Sequence, residues 1–281
     1  TAPWAHAVLC AGISGLQTLG RFFEMPRIDS RKKFAEAARY EIEHQMPYPQ
    51  KDVCWDFCDL SAAPAPDNPA APHYVVLTVV KKMSPDRRVS IFEHADLQVD
   101  IMQSDCLALH NCVVHELLET SDPQARNVQR DASKNPDAVV TIDVGAASTS
   151  VVVSARDYAW FRTFALGGDD FTRNLVHEFR LTFARAEQVK CQPSAVRRIS
   201  QLYDAMHGTF DRLFEELHLS LGPYLGAKPR RRVRCVLGIG GGFQLHGLLR
   251  LLRNGTLEDQ KTHADRIGKS TQSQGPKTRA M

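Results

Sequence analysis

The chain has 281 residues, 43% of them hydrophobic and 24% charged, which is enough apolar material for the core of one large or two ordinary globular domains. Its formal net charge of +3 lies too close to neutrality to indicate a nucleic-acid partner. The seven cysteines are scattered and odd in number, and no apolar run approaches the roughly 20 residues of a membrane span. These numbers argue against a disulfide framework or a membrane-spanning protein and favour a cytosolic one.

The first half of the chain, residues 1–137, interleaves strand and helix patterns. Strands are predicted at residues 5–26 (two short strands around Gly12 and Gly15), 53–60, 73–82 and 99–103. Helices are predicted at residues 31–46, 84–96 and 105–119. A Pro/Ala-rich loop at 61–72 has the composition of a hairpin tip, and residues 120–137 are polar and loop-like.

The second half, residues 138–281, has a similar layout of strands followed by helices. Strands are predicted at residues 139–153 (a hairpin), 157–168 and 232–242. Helices are predicted at residues 169–179, 183–190, 195–225 and 245–253. From Asn254 onward large apolar side chains are almost absent, so we expect a disordered and dispensable tail. Strands and helices interleave in both halves, which predicts an α/β fold.

The predicted hairpin carries a carboxylate and a glycine at its tip, in VVTIDVGAASTSVVV. A tight turn with Gly145 lets the backbone approach a phosphate, and the Asp143 carboxylate could hold a hydrated Mg²⁺. Ser148, Thr149 and Ser150 could add hydroxyl donors. The alternative is an ordinary hairpin in which Asp and Gly only form the turn. Cys54 and Cys58 have a metal-like spacing but no second Cys or His pair, so no metal site is predicted.

Two further features in the second half are typical of nucleotide sites. LGIGGGFQLHGL joins a strand to a helix through Gly240, Gly241 and Gly242, a loop that could hold a flat base or a phosphate. Glu187 and Lys190 are three residues apart on a predicted helix, so they lie on one face. Glu187 could accept hydrogen bonds from ribose hydroxyls. The alternatives are a tight strand-to-helix connection and a pair of solvated surface charges.

The order of these features resembles the second half of the actin/Hsp70/sugar-kinase ATPase fold. Within that superfamily the chain resembles the type IV pilus assembly protein PilM family, which is related to FtsA. Three segments carry the narrower resemblance: FAEAARYEIEHQMPYPQKDVCWDF, DLQVDIMQSDCLALHNCV and LGGDDFTRNLVHEFRLTFARAEQVK. The resemblance spans about residues 7–252 and implies an actin-like (ribonuclease H-like) two-domain fold with an inserted subdomain.

The resemblance assigns roles to the glycines and carboxylates. It implies that Asp143 and Gly145, with Ser148 and Thr149, form a loop for nucleotide phosphates and Mg²⁺. It also implies ribose and adenine contacts for five residues: Glu187, Lys190, Gly240, Gly241 and Gly242. The Gly167–Gly168 pair corresponds to a wall of the cleft. ATP and Mg²⁺ are the implied ligands, and no residue is assigned a catalytic role.

Two parts of the family pattern have no counterpart in this sequence. The family opens with a first phosphate hairpin, which residues 1–30 do not match, and it continues with strand and helix where this chain has residues 253–281. We therefore expect an N-terminally truncated fold: a fragment, a decayed copy, or a protein that does not need these parts. Half of the phosphate cradle is missing, so measurable ATP hydrolysis is not expected.

The resemblance also implies a domain plan and a partner. The plan is a first-domain remnant at 1–26, an inserted subdomain at 27–105, a return and linker at 106–137, a nucleotide-side domain at 138–252 and a disordered tail at 253–281. The family's actin-like body binds the N-terminal tail of a PilN-like inner-membrane protein in a groove beside the insertion. The prediction is a cytoplasmic scaffold, peripheral at the inner membrane through its partner and open to self-association.

Two alternatives stay open at this point. An active ATPase or small-molecule kinase of the same fold would need a catalytic Asp in the first half, but Asp100 and Asp105 have the positions of strand-end and helix-cap residues. An FtsA-like filament protein would carry an amphipathic membrane-binding C-terminal helix, and the tail after Asn254 has no apolar face for one.

Overall fold

The structure is a computed structural model. It describes residues 7–28, 30–45, 48–60, 72–119, 138–193, 199–225, 233–245, 247–249 and 252. Most of the Pro/Ala-rich loop, the whole polar segment 120–137 and the tail from Asn254 lie outside the described residues, as does part of the helix predicted at 245–253.

Nine strands and six α-helices alternate along the described residues, which agrees with the predicted α/β class. The strands are β1 (Cys10–Ile13), β2 (Thr18–Met25), β3 (Val53–Asp59), β4 (His73–Lys81), β5 (Ile101–Ser104), β6 (Ala138–Val144), β7 (Thr149–Ala155), β8 (Tyr158–Phe164) and β9 (Val233–Ile239). The helices are α1 (Arg31–Gln45), α2 (Met83–Glu93), α3 (Asp105–Val113), α4 (Gly168–Phe179), α5 (Phe183–Cys191) and α6 (Ile199–Leu225). A π-helical turn, Val114–Glu119, continues α3, and a 3₁₀ turn, Gly241–Gln244, follows β9.

The second half is built on a four-stranded sheet in the order β8-β7-β6-β9. The predicted hairpin is the antiparallel pair β6–β7, and β9 lies parallel to β6 on its other side. All seven residues of β7 are buried, as are all of β6 except the half-buried Asp143. Strands buried on both faces need apolar residues without alternation, which explains the continuous Val-rich runs.

Helices cover both faces of this sheet. On one face α4, α5 and α6 contribute the main core, whose fully buried members include Phe171, Leu175, Met206 and Leu213. The long helix α6 brings its apolar residues to the sheet at intervals of three and four, as its sequence predicts. On the other face α3 packs across β7, and Cys106 is buried against Val152 and Phe161.

The first half contains a three-stranded antiparallel sheet in the order β2-β4-β3. One face carries α1, where Phe34 packs with Met25 and Val75. The other face meets β8: the Phe22 and Phe161 rings stand edge to face at 5.1 Å, and the Tyr74 hydroxyl donates to the carbonyl of Ala159. β2 pairs along its whole length with β4, so Thr18–Met25 belong to the same sheet as β3 and β4.

The strands predicted together at 5–26 do not pair with each other. β1 pairs in parallel with β5, 91 residues later, and the backbone N–H of Leu9 donates to Asp100 Oδ2 at 2.8 Å. β2 instead joins β4. Asp100, predicted to lie at a strand end, therefore helps to hold β1 beside β5 through this hydrogen bond. Across the described ranges, no helix is long and apolar enough to cross a membrane.

Candidate functional site

The tip of the β6–β7 hairpin is tied to the start of α4 by backbone hydrogen bonds. Within the tip, the N–H of Gly145 donates to the carbonyl oxygen of Ser148 over 2.9 Å. The first amides of α4 donate back to the tip, Gly168 to the Gly145 carbonyl at 2.9 Å and Asp169 to the Ala146 carbonyl at 2.8 Å. A helix start otherwise leaves these N–H groups open, so the bonds both cap α4 and fix the tip.

The hairpin tip and the start of α4 can approach this closely because Gly167 has no side chain. A Cβ at Gly167 would lie 2.5 Å from the carbonyl oxygen of Ala146, which is too short for any real contact. Thr149 is also used by the fold: it is fully buried, and its hydroxyl donates to the carbonyl of Leu166 at 2.7 Å. The Thr149 hydroxyl therefore does not face the cavity described below, although the sequence assigned it to phosphate binding.

The glycine loop after β9 folds directly over the end of β6. Gly240 has φ 86° and ψ 163°, a region of backbone conformation that only glycine occupies readily. A Cβ there would lie 2.4 Å from Asp143 Oδ1, and one at Gly242 would lie 2.2 Å from a methyl carbon of Val144. Gly241, between them, has no atom within 4 Å of its Cβ position and faces open space.

Lys190 is the centre of a polar cluster that joins α5 to the start of α4. Its Nζ donates to the Gly168 carbonyl at 3.0 Å and to the Thr172 hydroxyl at 2.8 Å, and it forms an ion pair with Glu187 Oε2 at 2.7 Å. Three partners engage the ammonium group, and only 10% of the side chain is exposed, so Lys190 primarily fixes the two helices. The sequence alone predicts Lys190 to be a surface charge or an adenine contact.

Glu187 keeps its carboxylate at the surface of this cluster, with 41% of the side chain exposed. Burial alone would raise the pKa of Glu187, but hydrogen bonds from Lys190 and Thr172, together with the Lys190 charge, hold that pKa below its ordinary value. Glu187 therefore stays an acceptor with free lone pairs at neutral pH.

Replacing Lys190 with methionine should lower the free energy of unfolding by about 1–3 kcal/mol, because the Gly168 carbonyl and the Thr172 hydroxyl lose a buried donor. The same change should raise the pKa of Glu187. Urea unfolding at pH 7 measures the first effect. The exposed Lys32, changed to methionine, is the matched control, and an equal loss in both variants would contradict the structural role of Lys190.

These elements enclose a recess of about 180 Å³ at the carboxyl ends of the parallel strands β6 and β9. Ligands in open α/β sheets bind at this end. The lining residues come from the hairpin tip, the start of α4, the α5 face and the glycine loop: Gly145, Ala146, Gly168, Asp169, Phe171, Glu187, Lys190, Cys191, Gly241, Gly242, Gln244 and Leu245.

Six of the residues singled out in the sequence share this recess: Gly145, Gly168, Glu187, Lys190, Gly241 and Gly242. The lining of the recess lies wholly within residues 145–245. Asp143 is not in the lining. Its carboxylate lies under Gly240, on the α3 side of the sheet.

Asp105, at the first position of α3, is a residue that the sequence analysis treated only as a helix cap. Burial raises the pKa of Asp143, and the negative charge of Asp105 raises it further. The two carboxylates are therefore close neighbours across the α3–sheet interface. The signal that could have found this pair is the short strand-to-helix junction QSDCL, which puts an acid at the start of a helix beside the hairpin.

The alternation of strands and helices and the recess at the strand ends define a mixed α/β protein. A family model described as type IV pilus assembly protein PilM matches residues 10–263, and the chain belongs to this family. The coarse fold prediction and the family resemblance are thereby confirmed. A comparison with curated proteins finds no match to the chain.

Two solved structures are similar to this one. A PilM–PilN type IV pilus biogenesis complex matches with a TM-score of 0.66 and 24% sequence identity, over 87% of this chain and 66% of that chain. This chain therefore spans just under two thirds of the length of that relative. The ethanolamine utilization protein EutJ from Carboxydothermus hydrogenoformans matches with a TM-score of 0.40 and 15% identity, over 58% of this chain and 50% of that chain.

Proposed function

We propose that this chain is an actin-like scaffold of type IV pilus assembly or a related secretion machine, which holds an adenine nucleotide without turning it over. The observation that carries this proposal is the composition of the recess. It offers binding groups, but among the residues that the structure describes the one cation in its lining, Lys190, is already engaged by three protein groups. A site with no free positive charge can hold a ligand but gives little stabilisation to a phosphoryl-transfer transition state.

The lining of the recess supports a nucleoside ligand. Glu187 Oε2 is engaged by Lys190 and Thr172, but Oε1, which contacts only the Cys191 thiol among the described residues, keeps acceptor capacity for ribose hydroxyls. The open space over Gly241 is a place where any side chain would intrude on a flat base. Phosphates would extend toward Gly145 and Ala146 at the hairpin tip. Mg²⁺ would add charge neutralisation there, but Asp143, the carboxylate assigned to it, lies outside the lining on the α3 side of the sheet.

The proposed partner is the N-terminal tail of a PilN-like inner-membrane protein, since the similar solved structure is a PilM–PilN complex. Binding would occur beside the unit formed by β2, α1, β3 and β4. β4 is the central strand of this unit and has buried residues on both faces, so the peptide would use the edge strands β2 and β3 or α1. The scaffold would then be cytoplasmic and held at the membrane by its partner.

Tyr48 is the aromatic side chain best placed to contact such a peptide. It is 39% exposed, and Lys81 Nζ lies 4.4 Å from the ring centroid. Trp55 is instead partly buried with Phe57 in the core of the three-stranded unit. An ordered aromatic surface loses little entropy on binding, which makes Tyr48 a suitable anchor for an apolar peptide.

Calorimetric titration with N-terminal peptides of the neighbouring membrane protein tests this proposal. The Tyr48→Ala variant should bind at least about tenfold more weakly, as expected for an interface anchor worth 1–2 kcal/mol. Phe183→Ala, which removes a 47% exposed aromatic from the start of α5, outside this unit, is the matched control. Failure of the parent chain to bind any such peptide would refute the scaffold proposal, and equal loss in both variants would move the contact away from Tyr48.

A further inference from the structure

The corner between α4 and α5 exposes two aromatic side chains. Every residue from His177 to Arg185 is exposed except Leu181, which is half-buried and packs against the main core. Phe179 and Phe183 stand on the two sides of this corner with 37% and 47% of their surface exposed. Leu181 thus anchors a short turn whose flanking phenylalanines are partly exposed.

Two basic residues lie close to these phenylalanines in the sequence. In the segment 177–185 the two arginines, Arg180 and Arg185, outnumber the single carboxylate, Glu178. The Arg185 guanidinium contacts Gln188 at 2.6 Å, which leaves its charge unpaired by any acid in the described residues. The corner therefore presents aromatic surface with a local excess of positive charge.

Arg180 occupies a backbone conformation that suits glycine better. It caps α4 with φ 51° and ψ 42°, in the left-handed region that side chains disfavour. Glycine is the usual residue at this helix position. An arginine here costs stability relative to glycine, and strain of this kind tends to be found where the side chain has a function.

We propose that this corner, residues 177–185, contacts the surface of an anionic lipid bilayer. Phenylalanine and arginine together are typical of interfacial membrane contacts, in which rings enter the boundary of the acyl chains and guanidinium groups meet lipid phosphates. A rigid protein partner would need a matching hollow for this projecting corner, whereas a bilayer deforms around it. The contact rests on the proposed function only in that the scaffold is held near a membrane.

The contact is weak alone and effective when a partner holds the chain at the membrane, because tethering raises the local lipid concentration. It would also fix the orientation of the body, with the α4–α5 corner toward the bilayer. A single interfacial corner is reversible, so the surface would be released when the partner is released.

Cosedimentation of the full chain with vesicles tests the proposal without any partner protein. The vesicles contain equal parts of phosphatidylglycerol and phosphatidylcholine, with pure phosphatidylcholine as the neutral comparison, at low ionic strength. We expect binding to the anionic vesicles only, decreasing as salt is added. The double variant Phe179→Ser/Phe183→Ser should lose about tenfold or more in vesicle affinity, and Tyr40→Ser, from an exposed aromatic elsewhere, should bind like the parent.

Arg180→Gly separates the lipid contact from folding. This change should raise the urea midpoint, because glycine relieves the left-handed strain, yet weaken vesicle binding about fivefold by removing one cation. Undiminished binding by the double phenylalanine variant, equal binding to neutral vesicles, or a stabilised Arg180→Gly variant with parental affinity would each overturn the proposal. Peptide titration in lipid-free solution stays an independent test of the scaffold.

Discussion

A single methyl group at Gly240 is expected to disrupt the nucleotide recess. The conformation of Gly240, φ 86° and ψ 163°, costs any other residue about 1–3 kcal/mol in strain. The new Cβ would in addition lie 2.4 Å from Asp143 Oδ1 and 2.5 Å from the Val144 carbonyl oxygen, so the glycine loop must move off β6. Gly240→Ala should therefore lose both stability and nucleotide binding.

Gly241→Ala provides a matched control one residue away. Its Cβ meets no atom within 4 Å, so the free energy of unfolding should stay within about 0.5 kcal/mol of the parent. Because Gly241 lines the recess, the added methyl should still weaken a nucleoside that occupies this space. Urea unfolding and calorimetry with ADP measure the two quantities. Equal stability of the two variants would show that the loop does not pack on β6 as described.

These variants also separate two meanings of a glycine triplet in a sequence. GIGGG predicts a loop near a ligand, but the pattern does not say which glycine serves the backbone and which leaves room for the ligand. The structure assigns the first role to Gly240 and Gly242, which touch β6, and leaves Gly241 facing the recess. That difference arises from packing against Asp143 and Val144, residues nearly 100 positions earlier, so local sequence cannot provide it.

The side of the sheet that Asp143 faces could not be predicted from the sequence either. Side chains alternate along a strand, and in a half-exposed strand the apolar pattern reveals which side each residue faces. β6 is buried on both faces, so VVTIDV has no alternation to read. The sequence correctly predicts a hairpin with a carboxylate near its tip, but the register is needed to place Asp143 on the α3 side with Ser150 and Ile239.

Strand pairing in the first half could not be predicted from the sequence, for a different reason. The patterns at 5–26 identify strands but not their partners, and neighbouring strands in sequence usually pair. Here each strand pairs instead with one much later in the chain, β1 with β5 and β2 with β4. Tight packing on β8 accompanies this arrangement: a Cβ at Gly20 would lie 2.7 Å from the Phe161 ring.

His110 should make the protein acid-sensitive. It lies on α3 against the central sheet, is 4% exposed, and its Nδ1 has no hydrogen-bond partner among the described residues. Burial lowers its pKa from 6.5 to about 4. Above pH 6.5 the ring is neutral in both folded and unfolded chains, so it has no pH-dependent effect. As the pH falls from 6.5 toward 4, the unfolded chain binds the proton first and stability is lost.

The full loss from His110, reached below pH 4, amounts to about 3 kcal/mol for a pKa difference of this size. Replacing His110 with leucine should remove that loss, since a neutral apolar side chain suits the interface between α3 and β7 at every pH. The quantity to measure is the difference in unfolding free energy between variant and parent, from pH 7.5 to pH 4.5. Both chains have the same carboxylates, so the contribution of carboxylate titration cancels in this difference. The difference should be small at pH 7.5 and grow in favour of the variant as the pH falls. The exposed His218, replaced in the same way, is the control. If the difference for His110→Leu stayed constant with pH, water would have to reach the ring, and α3 would not seal this face of the sheet.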